Sequence, residues 1–587
     1  MARITIKKLR IFGFSALLLL VGSARGQLAS GEAVPAIYSG LYENDAFESL
    51  TFVNSVVGWG TFYNAGFLGA GRVIANVEAG LVWGGHDWFV RPVGSLPIIG
   101  ATFVGTGALD ELDYHATMVG HVLAGTGTVA EGDPLDYYYA GIGMAPRAQI
   151  WSGAIATAYS TTDQGAFETT TASTVSVYRA FFQGIDNVKP DVINSSWGGP
   201  DLQSPEMVAI EGLARQNPTV AFVASAGNGG NTSVSAPGST FNSITVGSLG
   251  GSSFLQPSTF SSRGPAEFYN PVTGQTLTGV RAAVDIAAPG EDLILAAYLG
   301  PTGSLGATND PGVQDPSPTD WYYYNANGTS FSAPIVAGGI TLLKDAAEND
   351  ILYNLNGVAS ANDTRVIKSV LMAGATETEG WDNGQSVNVD GVILTTQALD
   401  YATGAGALNL DNAVNIYLLS GTRDVAGEGG GAISESGWDF GTVDLAQAND
   451  YLFSNPFEQE VELTISLNWF AGKSFDDESG LGVDLSFADL NLQVWQVLDG
   501  EFLTLLAESS SLYNNAEFLR VDLPAGSYAL RITFNGLVYE TVPGSTSAER
   551  YGLAWQSETI PEPSSVALVL FAVAVAAAFR HRRIRRT

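Results

Sequence analysis

The 587-residue chain contains no cysteine, only four histidines and less than half as many basic as acidic side chains. The lack of cysteine excludes disulfides and thiolate metal sites, so a packed core must stabilise the fold. Lys and Arg number 26 against 59 Asp and Glu, which gives a formal net charge of −33. So strong an acidic excess argues against nucleic acid or an anionic membrane surface as a partner.

Apolar runs mark both ends of the chain. Residues 1–26 combine basic side chains, an apolar run at 11–21 and small residues at Ala24 and Gly26. This layout is typical of a secretory signal peptide cleaved before Gln27. The alternative is an uncleaved anchor helix, which the shortness of the run disfavours.

The C-terminal end carries a Pro-Glu-Pro element at 561–563, an apolar segment from Val566 to Phe579 and an arginine-rich tail. It resembles the PEP-CTERM sorting signal of Gram-negative bacteria. The resemblance implies transient anchoring in the inner membrane with the basic tail in the cytoplasm. It also implies cutting by a sorting enzyme and delivery to the cell envelope, the outer surface or the extracellular matrix. A plain membrane anchor is the alternative.

Residues 61–420 alternate short apolar strands with helical stretches, as at 73–77, 148–151, 192–194 and 220–223. Such alternation predicts an α/β fold whose parallel sheet is flanked by helices, with active residues at the carboxyl ends of the strands. Residues 27–60 are expected to form a short N-terminal arm.

Beyond a glycine-rich linker at 421–432, the apolar pattern takes a period of two. Apolar residues alternate with polar ones at 461–469, 490–494 and 528–534. This pattern predicts a smaller all-β sandwich at 433–558, followed by the sorting signal at 559–587. The domain resembles small bacterial jelly-roll domains, and both substrate or matrix binding and a stabilising spacer role remain open. Its acidic loop at 474–478 is either solvated or a structural Ca²⁺ site.

Three short patterns carry the groups of a nucleophilic mechanism. They are Gly-Thr-Ser-Phe-Ser-Ala-Pro at 328–334, His-Ala-Thr-Met-Val-Gly at 115–120 and Ser-Ala-Gly-Asn at 225–228. A serine hydroxyl is a poor nucleophile at neutral pH, so it needs a base to take its proton. It also needs fixed donors where negative charge develops on the attacked carbonyl. The patterns supply these parts as Ser330, His115 and Asn228, although Ser330 taken alone also fits a helix cap.

Along the chain the histidine pattern comes first, then the asparagine pattern and then the serine pattern. This order resembles that of the subtilases, the subtilisin-like serine proteases. Further matches in family order lie at 69–77, 144–148, 191–199, 260–265, 287–290 and 404–409. The resemblance implies a subtilisin-like parallel sheet flanked by helices, with Ser330 as nucleophile, His115 as base and Asn228 as oxyanion donor.

The resemblance also implies a substrate clamp made of two segments that wall the primary pocket and hold an extended peptide. These segments are Ser196, Trp197 and Gly198, and Ser225, Ala226 and Gly227. Trp197 stands where the family commonly has a smaller aliphatic residue, so we expect an altered subsite. The alternative is a tryptophan packed under the sheet.

Elimination supports His115 as the base. His581 lies in the tail, and His121 is six residues beyond His115, about 240° around a helix, so the two cannot share a face. His121 is therefore expected to be structural. His86 matches a position where the family often has a non-catalytic histidine.

The acid position departs from the family, since Glu78 stands where subtilases carry aspartate. A glutamate can also accept the imidazole N–H, but its extra methylene must be accommodated. Asp113 and Asp87 are the alternatives. Sedolisins use a Ser-Glu-Asp set, but they replace the histidine and the oxyanion asparagine, which are both present here.

The sequence therefore predicts a secreted, envelope-associated serine endopeptidase that acts on proteins or peptides through an acyl-enzyme. It is expected to require no cofactor. The alternative is a catalytically weak scaffold or binding protein of the extracellular matrix.

Overall fold

The computed structural model describes residues 50–559 except 92–94, 127–140, 161, 163–164, 200, 301, 303–306, 310–320, 350–354, 356–357, 426–428 and 456–459. The predicted signal peptide, most of the predicted N-terminal arm, and the predicted transmembrane segment and basic tail lie outside these residues. Across the described ranges, no helix combines the length and the apolar composition needed to cross a bilayer.

The described helices precede residue 420. In chain order they are α1 Leu50–Val56, α2 Gly60–Ala65, α3 Tyr114–Ala124, α4 Thr171–Gln183, α5 Pro205–Gln216, α6 Thr329–Asn349, α7 Thr364–Ala373 and α8 Leu410–Val414. Short 3₁₀ turns lie at Asp87–Phe89 and Ala359–Asn362, and a π-helical turn at Asn415–Leu419 extends α8.

The strands fall into two groups. One group lies before residue 400, in what is called the first part below, and the other after residue 420, in the β-rich part. Those of the first part are β1 Val73–Glu78, β2 Ile99–Val104, β3 Gln149–Ala154, β4 Ala158–Tyr159, β5 Phe167–Glu168, β6 Val192–Ser195, β7 Ala221–Ser225, β8 Ile244–Gly250, β9 Gln256–Pro257, β10 Ala266–Asn270, β11 Gln275–Arg281, β12 Ile286–Pro289, β13 Leu293–Ala296, β14 Ala307–Asn309, β15 Trp321–Ala326, β16 Ser386–Val387 and β17 Ile393–Thr395. Those that follow are β18 Thr422–Arg423, β19 Gly431–Ala432, β20 Ser436–Asp444, β21 Ala448–Asn455, β22 Val461–Trp469, β23 Gly472–Asp476, β24 Leu481–Leu498, β25 Glu501–Ser509, β26 Ala516–Leu523, β27 Gly526–Glu540 and β28 Ala548–Thr559.

A parallel sheet in the order β12-β8-β7-β6-β1-β3-β2 forms the centre of the first part. Its inner strands β1, β6 and β7 are buried on both faces, which is why they read as near-continuous apolar runs. Val73, Ala75 and Val77 face the layer of α4 and α5, while Ile74 faces the layer of α3 and α6. This is the subtilisin-like α/β architecture expected from the sequence.

The β-rich part forms two facing mixed sheets. One has the order β16-β17-β25-β24-β27-β21-β19, and the other β18-β20-β28-β22-β26. Their inner faces meet in an apolar core that includes Leu463, Ile465 and Leu467 on one side and Leu492 and Leu530 on the other. The smaller all-β sandwich expected after the α/β part is thus present, with parallel pairs at β17/β25, β18/β20 and β19/β21.

The two parts pack closely. Strand β17, from the region predicted as the peptidase domain, pairs with β25 of the sandwich. Glycines let the backbones approach: a Cβ on Gly212 of α5 would collide with the backbone of Ser474, and one on Gly552 of β28 would collide with that of Arg365 in α7. The linker predicted at 421–432 begins and ends in hydrogen-bonded strands, β18 and β19. The predicted domain boundaries otherwise stay predictions.

Candidate active site

Glu78 is the last residue of β1, and its side chain is 1% exposed. Because β7, β6 and β1 are adjacent and parallel, their carboxyl ends meet at one edge of the sheet. The Glu78 Oε2 atom lies 3.0 Å from His115 Nδ1, and its Oε1 accepts a 3.0 Å hydrogen bond from the Ser196 N–H just past β6. Both carboxylate oxygens are therefore held.

His115 lies in the first turn of α3, which Asp113 caps by accepting a 2.8 Å hydrogen bond from the Ala116 N–H. Burial lowers the pKa of His115, but the charge of Glu78, its hydrogen bond and the charge of Asp113 raise that pKa above the ordinary 6.5. The contact with Glu78 through Nδ1 leaves Nε2 as the proton-accepting nitrogen of a neutral ring.

Ser330 lies in the first turn of α6, at the positive end of the helix dipole. Its Oγ donates a 3.0 Å hydrogen bond to the Ser196 carbonyl. Glu78, His115, Ser330 and Asn228 all line one cleft of about 270 Å³. The neighbouring Phe331 ring lies 5.9 Å from the imidazole, centroid to centroid. The structure thus joins the Ser330 hydroxyl to Ser196 rather than to His115.

Two N–H donors converge beside the nucleophile. The Asn228 Oδ1 atom accepts hydrogen bonds from the Thr329 N–H at 2.9 Å and from the Thr329 hydroxyl at 3.0 Å, which fixes Nδ2 as the free face of the amide. A Cβ built on Gly328 would lie 3.5 Å from Asn228 Nδ2 and 3.6 Å from the Ser330 nitrogen. Both donors thus border the same small space, as stabilisation of an oxyanion requires.

The predicted clamp residues divide into lining and buried groups. The cleft is lined by Ser196, Trp197, Gly198, Ser225 and Gly227. Ala226 instead lies behind the wall, fully buried in an apolar cluster.

Trp197 belongs mainly to the core. It is 6% exposed, and its indole N–H donates to the Tyr178 hydroxyl at 3.2 Å. Its ring packs 6.3 Å from that of Phe167. The altered subsite expected at Trp197 stays a prediction.

Of the other histidines, His581 lies outside the described residues, and His86 and His121 make structural contacts. His121 donates from Nε2 to the Gly141 carbonyl, accepts from the Ala296 N–H and stacks on Trp88. Burial and the nearby His86 lower the pKa of His121 to about 3, so it is neutral. The His86 Nδ1 atom accepts from the Trp88 N–H.

The alternative acids have other positions. Asp113 lines the cleft as a helix cap, and burial raises its pKa to about 6. Asp87 lies in the 3₁₀ turn at Asp87–Phe89. Of the three carboxylates considered, Glu78 has the hydrogen bond to the imidazole.

Sequence reasoning missed the part played by Thr329 and Gly328. Thr329 orients the Asn228 amide, and its hydroxyl also accepts a 3.0 Å hydrogen bond from the Gly227 N–H. Gly328 leaves open the space between the donors. Their positions beside Ser330 in one motif were the available signal.

Two carboxylates of the acidic loop have hydrogen-bond or ion-pair partners within the protein. Asp476 accepts hydrogen bonds from the Glu478 and Ser479 N–H groups, and Asp477 forms a 3.0 Å ion pair with Arg179. Within the described part of the chain, no group of three or more His, Asp or Glu side chains is arranged to hold a metal ion. The Ca²⁺ alternative stays a prediction.

Comparison with known families gives two matches. The family model described as the subtilase family matches residues 104–406, and that of the PEP-CTERM protein-sorting motif matches residues 559–583. Glu78 precedes the first of these ranges. No curated protein matches the sequence.

The solved structures that are similar to the chain include two proteases. Fervidolysin from Fervidobacterium pennivorans, a keratinolytic enzyme related to subtilisin, is 18% identical over 83% of this chain and 54% of its own, with a TM-score of 0.45. The match thus spans about half the length of fervidolysin. The prenylagaramide maturation protease PagA is 18% identical over 61% of this chain and 97% of its own, with a TM-score of 0.39.

Proposed function

Since the chain belongs to the subtilase family, we propose that it is a serine endopeptidase with a Ser330–His115–Glu78 triad. The observation that carries the proposal is the 3.0 Å contact of Glu78 with His115 in a cleft that Ser330 also lines. A carboxylate in this place holds the imidazole in the tautomer that accepts a proton from serine.

The proposed reaction begins when Ser330 Oγ attacks the carbonyl carbon of a peptide bond and its proton passes to His115 Nε2. The carbonyl electrons move to the oxygen, which Asn228 Nδ2 and the Ser330 N–H stabilise. His115 then gives its proton to the leaving amide nitrogen as the C–N bond breaks, which leaves an ester on Ser330. Water repeats the sequence and releases the acid.

Each step uses groups of the chain, so the proposed reaction requires no cofactor. Exhaustive dialysis against EDTA should leave kcat unchanged on this proposal. A loss of activity that Ca²⁺ restores would instead support the structural Ca²⁺ site.

Labelling with a fluorophosphonate tests the triad, because this reagent traps an activated serine as a covalent adduct. Wild-type protein should react at Ser330, Ser330→Ala should not, and Ser253→Ala, which removes an exposed serine, should react as wild type does. Absence of labelling in folded wild-type protein would overturn the endopeptidase and favour the matrix scaffold.

The PEP-CTERM motif indicates export and sorting to the envelope. We propose that the chain passes the inner membrane by a signal peptide cleaved before Gln27, is held there transiently by its C-terminal segment, and is released by a sorting enzyme. Mass spectrometry of the mature protein and its location after deletion of 560–587 test this route. A mature protein that retains the arginine-rich tail would contradict it.

A further inference from the structure

The Ser235 side chain lies between the two glycines of the cleft walls. A methyl group on Gly198 would collide with Ser235 Oγ, and a Cβ on Gly227 would lie 3.1 Å from that atom. All three residues line the same cleft as Ser330. The hydroxyl of Ser235 thus occupies space where the two walls approach each other.

Backbone hydrogen bonds hold Ser235 in this position. Its N–H donates to the Ala226 carbonyl at 3.3 Å, and its carbonyl accepts from the Ser239 N–H at 3.0 Å. The Gly199 N–H donates to the next carbonyl, that of Ala236, at 3.1 Å. Both walls are therefore tied to the segment 235–236, which closes the space between them.

The position of this space relative to the reacting atoms identifies what enters it. The wall at 225–227 directly precedes Asn228, whose Nδ2 is the proposed donor to the carbonyl oxygen of the substrate. The side chain attached next to that carbonyl must therefore lie beside this wall. Trp197 also lines the cleft, and its indole N–H donates to the Tyr178 hydroxyl.

We propose that Ser235 makes this pocket selective for peptides and proteins with a small residue, glycine, alanine or serine, on the acyl side of the cleaved bond. This inference rests on the proposed endopeptidase function. Larger side chains require displacement of Ser235, whose backbone is fixed at both its N–H and its carbonyl. One methylene changes discrimination by about 10–200-fold in such pockets.

A series of peptides that differ only in the residue on the acyl side tests the proposal. Wild-type kcat/KM should be at least about 10-fold higher for alanine than for leucine or phenylalanine. Ser235→Gly should raise kcat/KM for leucine relative to alanine by about 10–200-fold. Ser235→Val should restrict cleavage to peptides that have glycine on the acyl side of the cleaved bond.

Two controls separate this inference from the function on which it rests. Fluorophosphonate labelling of Ser330 in the wild type reports the function on which the inference rests, and Ser233→Gly, at an exposed position, should keep the wild-type preference. Labelled, active protein that prefers large residues, or a preference unchanged in Ser235→Gly, would overturn the inference alone. Folded wild type that neither labels nor cleaves would overturn the proposed function and this inference with it.

Discussion

Glu78 accepts a 3.0 Å hydrogen bond from the Ser196 backbone N–H while its other oxygen lies 3.0 Å from His115. The Ser196 carbonyl in turn accepts a hydrogen bond from the Ser330 hydroxyl. One carboxylate therefore ties the end of β1 to the end of β6 and to the imidazole. The longer side chain of glutamate is accommodated because each oxygen has a partner.

Two substitutions of Glu78 should separate the effect of its negative charge on catalysis from the effect of its side-chain length. Glu78→Gln should lower kcat/KM by about 10⁴, because an amide no longer stabilises the protonated imidazole and favours the wrong tautomer. Glu78→Asp keeps the charge but is one methylene shorter, so a displacement of about 1 Å should cost about 10². Steady-state kinetics on one peptide check both values.

The control for Glu78 is Glu377→Gln, which removes a carboxylate at an exposed position. It should retain wild-type kcat/KM. If Glu78→Gln does so too, Glu78 is not the acid of the triad.

Gly328→Ala should reduce kcat with little loss of stability. The added methyl would lie at ordinary contact distance from Asn228 Nδ2 and the Ser330 nitrogen, in the space that the oxyanion needs. Loss of one such donor costs about 10²–10³ in kcat in subtilisin, so we expect a fall of at least about 10². Gly536→Ala, where a methyl meets nothing within 4 Å, is the control. An unchanged kcat in Gly328→Ala would contradict the position of the oxyanion hole.

The pH profile should reflect the raised pKa of His115. Only the neutral ring accepts a proton, so kcat/KM should rise with pH through an apparent pKa above 6.5. Asp113→Asn removes a negative charge that raises this pKa, yet its amide oxygen can still cap α3. The ascending limb should therefore move to lower pH in Asp113→Asn. If the ascending limb of the kcat/KM profile lies at the same pH in Asp113→Asn as in the wild type, Asp113 does not raise the pKa of His115.

Much of this site was predictable because its groups belong to short local patterns. Ser330, His115 and Asn228 each lie beside residues that set the local backbone, and the alternation of short apolar strands with helical stretches predicted the parallel sheet. Glu78 was identified by position alone. Its hydrogen bond to Ser196 joins residues 118 apart, and no local pattern reports such a contact.

The packing between the two parts was not predictable for a similar reason. The period-two pattern of β22 predicts that Ser466 and Asn468 face solvent, but both are buried. The Asn468 side-chain N–H donates to Ser369 Oγ of α7 at 2.8 Å. An alternating strand looks the same whether its polar face meets water or a polar helix surface.

Lys473 should be the most sensitive ionic position where the two parts meet. Its Nζ lies 3.3 Å from Glu211 Oε2 and also contacts Asp484, and Glu211 is fully buried. Burial alone lowers the pKa of Lys473, but the charges of Glu211 and Asp484 raise it above its ordinary value, so the ammonium is charged. Lys473→Met leaves a buried carboxylate without its cation and should cost about 3–5 kcal/mol, read from the guanidinium unfolding midpoint.

Arg179→Met is the matched control at the same surface. The Arg179–Asp477 pair is 43% and 60% exposed, so its loss should cost less than about 1 kcal/mol. Glu211→Gln added to Lys473→Met should restore part of the lost stability, because the unpaired charge is then gone. Equal unfolding midpoints for Lys473→Met and Arg179→Met would show that the buried pair does not hold the sandwich against α5.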